Sequence, residues 1–494
     1  MDVDGGRIVV FNPLPWTRDG HVEFDTRHVF GGGFDRAIRA LDDDTLLPVS
    51  HEFPSIETRT PMSRFVAKDV PPLGYRTFVA ANENISGPQL FADEETGVLE
   101  SPFFKATLDA KRGRIASLTD KRTGREMVAP GAPQGFGQYL YERFSYKEIS
   151  EWIAKSLYGQ YHAHRFIFAA YDMPQNTEYE SGLPENMALS VVKSTIDVKA
   201  VMTGILPGPG QPQRVSIALT LSGIEPTAEI EVSWQKQPDS WPEAAWICLP
   251  FQVDNAKFRL GRLGANVDPE EDFSVDNVNY HMWCVNHGVA VYDGETGMGY
   301  GVCSPDTPMV SLGEPGEYKF DKRFTPRKPY IYFNLYNNHW RTNFVAWVGD
   351  ERRMSAKVRL WAFEKFDVES SLFTPALETR VPLQAAASMV RGGKLPPTRP
   401  GIGLSRQGIA VTAFGPNPDG KGTVLRLWEQ GGRGGPCTVT LPEGLNATTV
   451  KPVSLRGTDI GHIIPVKDGK FTFDLKPYAP ASFVIDFEIT AMSE

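Results

Sequence analysis

The stretch 337–343 concentrates amides, an imidazole, a guanidinium and an indole ring within seven residues. Amides and charged groups form hydrogen bonds with sugar hydroxyls, and a flat ring offers an apolar face to the C–H side of a pyranose. The segment is too polar for a core and too aromatic for an ordinary solvated loop. We therefore predict a carbohydrate-binding surface formed by Tyr336, Asn337, Asn338, His339, Trp340, Arg341 and Asn343.

A second interpretation of the same stretch stays open. It is the polar end of a strand in which Trp340 fills the core, because buried tryptophans and hydrogen-bonded asparagines are common in proteins.

Two other groups of residues have the types that bind metal ions. His162 and His164 fall on one side of a strand, as in some zinc sites, but no third ligand is close in sequence. The run 268–272, followed by Asp276, is acidic but lacks the glycine and the regular spacing of a calcium loop. Ordinary surface is the simpler interpretation of both, and we predict no metal site in this chain.

Catalytic motifs are also missing from the sequence. The nucleophile elbow G-x-S-x-G, the phosphate loop GxxxxGK[ST] and the zinc motif H-E-x-x-H do not occur. A glycosidase needs two carboxylates facing one bond, and sixty acidic residues single out no pair. His281 and His287 lie in a ring-rich stretch and either line a pocket or form ordinary hydrogen bonds beside a sheet. We therefore name no catalytic residue.

The elements around these candidates are mostly strands. Ile331, Phe333 and Leu335 alternate with polar or aromatic neighbours, which is the period of a strand with two different faces. A second strand is predicted over 354–363, and a short helix over 149–157. Many further short strands separated by Gly and Pro turns indicate an all-β chain of sandwiches.

Changes in composition divide the chain into three units. The stretch 81–97 is rich in Asn, Glu and Gly, and 391–403 is rich in Gly and Pro. We predict a small β-sandwich domain over 1–80, a large β domain over 98–390 and a C-terminal β-sandwich domain over 404–494.

Charge and hydropathy exclude some classes of partner. The 494 residues carry a formal net charge of −9, which argues against nucleic acid or an anionic membrane as a partner. No apolar run is long enough to span a membrane, and the first residues are too polar for a signal peptide. The four cysteines do not form a disulfide scaffold. We expect a cytoplasmic protein.

Five stretches resemble a known family, and they follow one another along the chain in the order that the family has. They are Val10–Trp16, Val70–Arg76, Leu99–Glu126, Tyr336–Phe344 and Leu425–Glu429. Together they resemble the C-terminal half of the family 38 glycoside hydrolases, the α-mannosidases. The resemblance implies a central supersandwich of the galactose-mutarotase-like type, flanked by smaller β-sandwich domains.

The resemblance also implies what lies elsewhere in the family. Its aspartate nucleophile and most of its zinc ligands belong to an N-terminal α/β barrel, so no catalytic or zinc residue carries over and no cofactor is expected in this chain. Three explanations of a chain that resembles only the β-rich half stay open: the gene is split, the chain is a fragment, or the β-rich half exists as an independent protein. Whether the chain is an enzyme by itself is left undecided.

The leading hypothesis is a β module that binds a mannose-containing glycan, or that completes the sugar site of a separate catalytic barrel subunit. One alternative is a stand-alone supersandwich enzyme, a sugar epimerase or polysaccharide lyase, using Tyr336, Asn338, His339 and Arg341. The other alternative is a non-catalytic structural interaction module.

Overall fold

The computed structural model describes residues 6–29, 37–52, 61–156, 174–273, 278–321, 323–338, 352–389 and 393–487. Within these ranges 36 strands form six sheets. The helical elements described are α1 (Tyr146–Ser156), α2 (Thr374–Arg380), a 3-10 turn (Thr26–His28) and a π-helical turn (Val368–Phe373). None of these helices is long and apolar enough to cross a membrane.

Two large sheets face each other in the middle of the chain. The first, called the long sheet, has nine described strands. In spatial order they are β14 (Ala188–Lys193), β15 (Asp197–Leu206), β16 (Gln213–Ser222), β17 (Thr227–Lys236), β26 (Arg352–Phe363), β23 (Gly299–Cys303), β22 (Val289–Asp293), β19 (Ala256–Arg262) and β20 (Ala265–Val267).

The second sheet, called the short sheet, has six described strands. In spatial order they are β13 (Glu180–Gly182), β12 (Gln138–Arg143), β18 (Glu243–Pro250), β25 (Tyr330–Asn338), β24 (Met309–Leu312) and β21 (Trp283–Cys284). Beside it lies a smaller sheet of β11 (Arg125–Glu126), β10 (Arg114–Asp120), β9 (Phe104–Asp109), β8 (Val98–Glu100) and β7 (Phe91–Asp93).

The core between these sheets follows from side-chain alternation. In β17 every second residue is buried, so Ile230, Val232 and Trp234 point inward while Glu229 and Glu231 point outward. From the short sheet, side chains such as Ile247 and Phe333 enter the same core. In contrast, β18 is buried along its whole length because its other face is also covered.

The covering of that other face includes α1. Ile149 and Ile153, four residues apart, pack with the outward side chains of β12, β18 and β25. The helix begins at Tyr146, three residues before the predicted start, because Ser145 and Glu148 form a capping box: the Ser145 hydroxyl accepts from the Lys147 amide, and the Glu148 carboxylate accepts from the Ser145 amide.

The N-terminal sheet contains eight described strands, two of which come from far along the chain. The path is β2 (Arg18–Asp25), β5 (Met62–Val70), β4 (Leu46–Glu52), β3 (Ala37–Ala40), β6 (Tyr75–Ala81), β1 (Arg7–Phe11) and β27 (Gln384–Ser388), and β28 (Thr398–Arg399) pairs with β6. The chain therefore returns to this sheet after the supersandwich. The proposed division into three domains stays a prediction.

The C-terminal part is a small sandwich around a core of its own. Its smaller sheet has β29 (Gly403–Leu404), β32 (Gly435–Thr440) and β35 (Lys470–Leu475); its larger sheet has β30 (Ile409–Pro416), β31 (Thr423–Glu429), β36 (Pro480–Ile485), β33 (Thr449–Val453) and β34 (Ile464–Pro465). The predicted fold class, an all-β chain with a supersandwich flanked by smaller sandwiches, is confirmed.

Candidate functional site

The predicted carbohydrate-binding stretch begins at the end of β25. Tyr336, Asn337 and Asn338 are the last residues of that strand. The other four candidates, His339, Trp340, Arg341 and Asn343, lie outside the described residues.

A β-bulge changes the face on which Tyr336 lies. The β18–β25 register shifts between the pair Ala245–Tyr336 and the pair Trp246–Asn334, so Leu335 is an extra residue. Strict alternation along β25 predicts that Tyr336 and Phe333 point to opposite faces of the sheet. That prediction is wrong. The Tyr336 ring instead stacks on Trp234 of the long sheet, with centroids 5.8 Å apart, inside the supersandwich core.

The amides of the two asparagines are held by the protein. Asn338 Nδ2 donates to Glu243 Oε1 at 2.8 Å and to the Asp239 carbonyl at 3.1 Å. Asn337 Nδ2 donates to Asn334 Oδ1 at 3.0 Å, but the Asn337 side chain is exposed. The end of β25 is thus anchored at Asn338 and presents Asn337 to solvent.

Glu243 is the centre of a buried polar cluster. Its Oε1 lies 2.6 Å from Lys236 Nζ, and both side chains are almost fully buried. The Tyr141 hydroxyl donates to Glu243 Oε2. We call Tyr141, Lys236, Glu243 and Asn338 the strand-end cluster. It joins β12, β17, β18 and β25 at one end of the supersandwich.

Burial dominates the electrostatics of this cluster. It raises the pKa of Glu243 although Lys236 is adjacent, because desolvation disfavours the charged carboxylate. Burial, followed by the nearby Glu243, raises the pKa of Tyr141 well above its usual value. Burial also raises the pKa of Tyr336. The tyrosines are therefore neutral hydrogen-bond donors, and the cluster is suited to holding Asn338 in place.

The lyase-type set proposed from the sequence is described only in part. Of its members, Tyr336 points into the core and its hydroxyl lies 3.2 Å from that of Tyr139. Asn338 is engaged by Glu243, and His339 and Arg341 lie outside the described residues.

The two histidines of the ring-rich stretch occupy different environments. The His281 side chain is buried, with Nε2 3.0 Å from Asp321 Oδ2 and its ring 4.2 Å from that of Phe324. The His287 ring packs against the Phe373 ring, with their centroids 5.6 Å apart. The buried Nδ1 of His281 has no hydrogen-bond partner among the described residues, and His287 lines a small cavity together with Phe373, so both interpretations stay open.

The candidate metal ligands are engaged or not described. Asp268 Oδ1 accepts from the amides of Glu270 and Glu271, and Asp268 Oδ2 pairs with Arg259. Asp276, His162 and His164 lie outside the described residues. Within the described ranges, no group of three His, Cys, Asp or Glu residues is placed to hold a metal ion.

Sequence reasoning missed Lys236, Glu243 and Tyr141. One signal was present: Tyr139, Tyr141 and Arg143 alternate in one strand and therefore share a face. Glu243 lies 102 residues from Tyr141, however, and it is the pairing of β12 with β18 that brings these two side chains together.

Comparison with known proteins supports the family resemblance. Residues 408–479 match the glycosyl hydrolases family 38 C-terminal beta sandwich domain. An alpha-mannosidase from Enterococcus faecalis V583 has the same fold over 98% of this chain, with a TM-score of 0.64 and 13% identity. A protein in glycosyl hydrolase family 38 from Enterococcus faecalis matches equally well, with a TM-score of 0.64 and 13% identity over 98% of the chain. The resemblance to the β-rich half of these enzymes is confirmed.

The lengths of the matched proteins differ from that of this chain. The chain spans 56% of the alpha-mannosidase and 58% of the family 38 protein. A galactose mutarotase-like protein from Clostridium acetobutylicum matches 57% of this chain, with 10% identity and a TM-score of only 0.32. No curated protein matches the sequence significantly.

Proposed function

We propose that this chain is the β-rich part of an α-mannosidase-like glycoside hydrolase system and that the end of β25 faces carbohydrate. It contacts a mannose-containing glycan directly, or it completes the sugar site of a separate catalytic barrel. The observation that carries the proposal is the anchoring of Asn338 by Glu243 and the Asp239 carbonyl, immediately beside the exposed Asn337.

The anchoring favours binding for a physical reason. A protein that orders a polar loop only when sugar arrives loses part of its binding energy to conformational entropy, whereas a strand end fixed beforehand does not. The buried ion pair of Lys236 and Glu243 fixes the acceptor on which the Asn338 amide depends. The likeness in fold to α-mannosidases makes a mannose-containing glycan the natural first ligand to test.

The test is calorimetric titration of a mannose-containing oligosaccharide into the 494-residue chain and into its Asn337→Ala variant. We expect binding by the wild type. Loss of one exposed amide should weaken it by about 1 kcal/mol, or roughly fivefold, because that is the usual net value of a neutral hydrogen bond.

Gln89→Ala is the matched control, since it removes an exposed carboxamide from a segment outside the strands. Thermal melts of all three proteins should coincide. Equal affinity of an oligosaccharide for the wild type and Asn337→Ala would contradict the proposal. If the chain alone binds no oligosaccharide, direct contact between the end of β25 and a glycan is ruled out.

A further inference from the structure

A cavity of about 360 Å³ opens on the face of the short sheet that points away from the supersandwich core. Leu140 and Glu142 of β12 and Tyr330 and Tyr332 of β25 reach it from the sheet. A volume of this size accommodates a small ligand such as a monosaccharide. The cavity is therefore large enough for a monosaccharide.

Aromatic rings form much of the wall of this cavity. Tyr330, Tyr332, Phe324 and Tyr179 all line it. Tyr330 and Tyr332 are buried and Phe324 is half-buried, whereas Tyr179 is 43% exposed and presents its ring to the cavity. An exposed aromatic ring can pack against the C–H face of a sugar. The Tyr332 hydroxyl donates to Gln134 Oε1 at 3.1 Å, which fixes the orientation of the ring and brings an amide to the cavity.

The polar group at the base of the cavity is Glu142, whose side chain is only 6% exposed. Its Oε1 accepts from the Tyr179 hydroxyl at 2.7 Å, and its Oε2 accepts from Trp246 Nε1 at 2.6 Å. These two donors hold the carboxyl group in one orientation. Burial raises the pKa of Glu142, since the charged form is poorly solvated there.

Three cations lie at the cavity, and two of them have no carboxylate partner among the described residues. Lys319 pairs with Glu314 at 3.2 Å. Arg327 and Lys328 are exposed, and the Lys328 ammonium lies 5.6 Å from the centroid of the Tyr330 ring. The carboxylates of Glu142 and Glu314 line the same cavity, so the three cations leave an excess of one positive charge there, in a chain whose net charge is −9.

We propose that this cavity binds a monosaccharide carrying an anionic substituent, with the sugar ring against the exposed ring of Tyr179 and the anion at Arg327 and Lys328. The wall supplies the stacking surface, Glu142 and Gln134 supply hydrogen-bonding groups, and the two cations select the charge. The anion is a carboxylate, as in a hexuronic acid, or a phosphate, as in a sugar phosphate. This ligand class goes beyond the neutral mannose-containing glycan proposed for the end of β25.

The test is calorimetric titration of the 494-residue chain with four probes: D-glucuronate, mannose 6-phosphate, D-mannose and inorganic phosphate. At least one of the two anionic sugars should bind at least about tenfold more tightly than both D-mannose and inorganic phosphate, because charged hydrogen bonds are worth roughly 1.5–3 kcal/mol. Preference for D-glucuronate identifies a uronate site, and preference for mannose 6-phosphate identifies a sugar-phosphate site.

The double variant R327A/K328A tests the role of the cations. It should lose at least about tenfold in affinity for the preferred anionic sugar while keeping the wild-type melting temperature, since both side chains are exposed. The double variant K394A/K421A removes two exposed lysines elsewhere and should bind like the wild type.

Three results would overturn the proposal. They are equal affinity for D-mannose and the anionic sugars, inorganic phosphate binding as tightly as mannose 6-phosphate with no binding of D-glucuronate, and no binding of any probe at about 50 mM, where even a millimolar site is saturated. Unchanged affinity in R327A/K328A would also overturn it.

Discussion

The imidazole of His287 packs beside the ring of Phe373, and its Nδ1 lies 3.2 Å from Asn286 Nδ2. Burial, followed by the charge of Arg380, lowers the pKa of His287 from 6.5 to about 4. In the unfolded chain the same imidazole takes up a proton near its ordinary pKa. Between these two values the unfolded state therefore binds more protons than the folded state, so that stability falls as the pH falls.

We expect His287 to make stability depend on pH between about 4 and 6.5. Its contribution is fully present above the unfolded pKa and is lost as the pH falls toward the folded pKa. The loss is about 3 kcal/mol at pH 4, at 1.36 kcal/mol for each pKa unit. In His287→Gln this contribution is absent, so urea unfolding at a series of pH values should give a shallower dependence than the wild type. If the free energy of unfolding depends on pH in the same way in both proteins, His287 is not the source of the pH dependence.

At the scale of elements, the strand-end cluster ties two sheets together. Lys236 ends β17 in the long sheet, and Glu243 begins β18 in the short sheet. The polar contact between them lies at the end of an otherwise apolar interface. Desolvating two charges costs free energy, so such a pair is retained only where geometry is good and further hydrogen bonds are made. Tyr141 and Asn338 supply those bonds.

We expect Glu243→Gln to destabilise the protein by about 3–5 kcal/mol, because it replaces the carboxylate beside a buried ammonium with a neutral amide. Chemical denaturation measures this change in the free energy of unfolding, and the m-value should be the same for the wild type and the variant. Glu231→Gln is the matched control, since Glu231 pairs with Lys199 at 3.9 Å on the partly exposed face of β17 and should change stability by less than about 1 kcal/mol. Equal effects of the two substitutions would show that burial of the Lys236–Glu243 pair is unimportant.

At the scale of the whole molecule, the chain leaves the N-terminal sheet after β6, builds the supersandwich and then returns. Strand β27 pairs with β1, and β28 pairs with β6. Each pairing joins residues that are more than three hundred positions apart in the sequence. The connecting stretches nevertheless keep exposed residues between strands, at 82–84 and 393–396.

We expect proteases to cut first within 81–97 and 391–403, because each range contains an exposed stretch between strands, at 82–84 and 393–396, and such stretches are the usual sites of nicking. A glutamate-specific protease should cut after Glu83, and trypsin after Lys394, at residues that are both exposed. Mass spectrometry of the first fragments identifies the sites. First cuts inside 98–380 would count against the division into three units.

The sequence by itself determined the fold class and the position of many strands. The alternation of residues in β17 and the Gly- and Pro-rich turns depend on local chemistry, so they can be recognised in the sequence. The five stretches that resemble the family can be recognised there too. The sequence likewise placed a helix around Ile149, because residues four apart share a helical face.

Tertiary structure alone decided which side chains share a site. One inserted residue at Leu335 turns Tyr336 from the predicted surface into the core, and a bulge has no reliable signature in a single sequence. The pairing of Lys236 with Glu243, and the contacts of Glu142 with Trp246 and Tyr179, depend on how strands and segments that are distant in sequence pack together. Periodicity specifies which face a residue occupies within its own strand. The packing of the whole chain decides which distant residue lies next to it on the neighbouring strand or sheet.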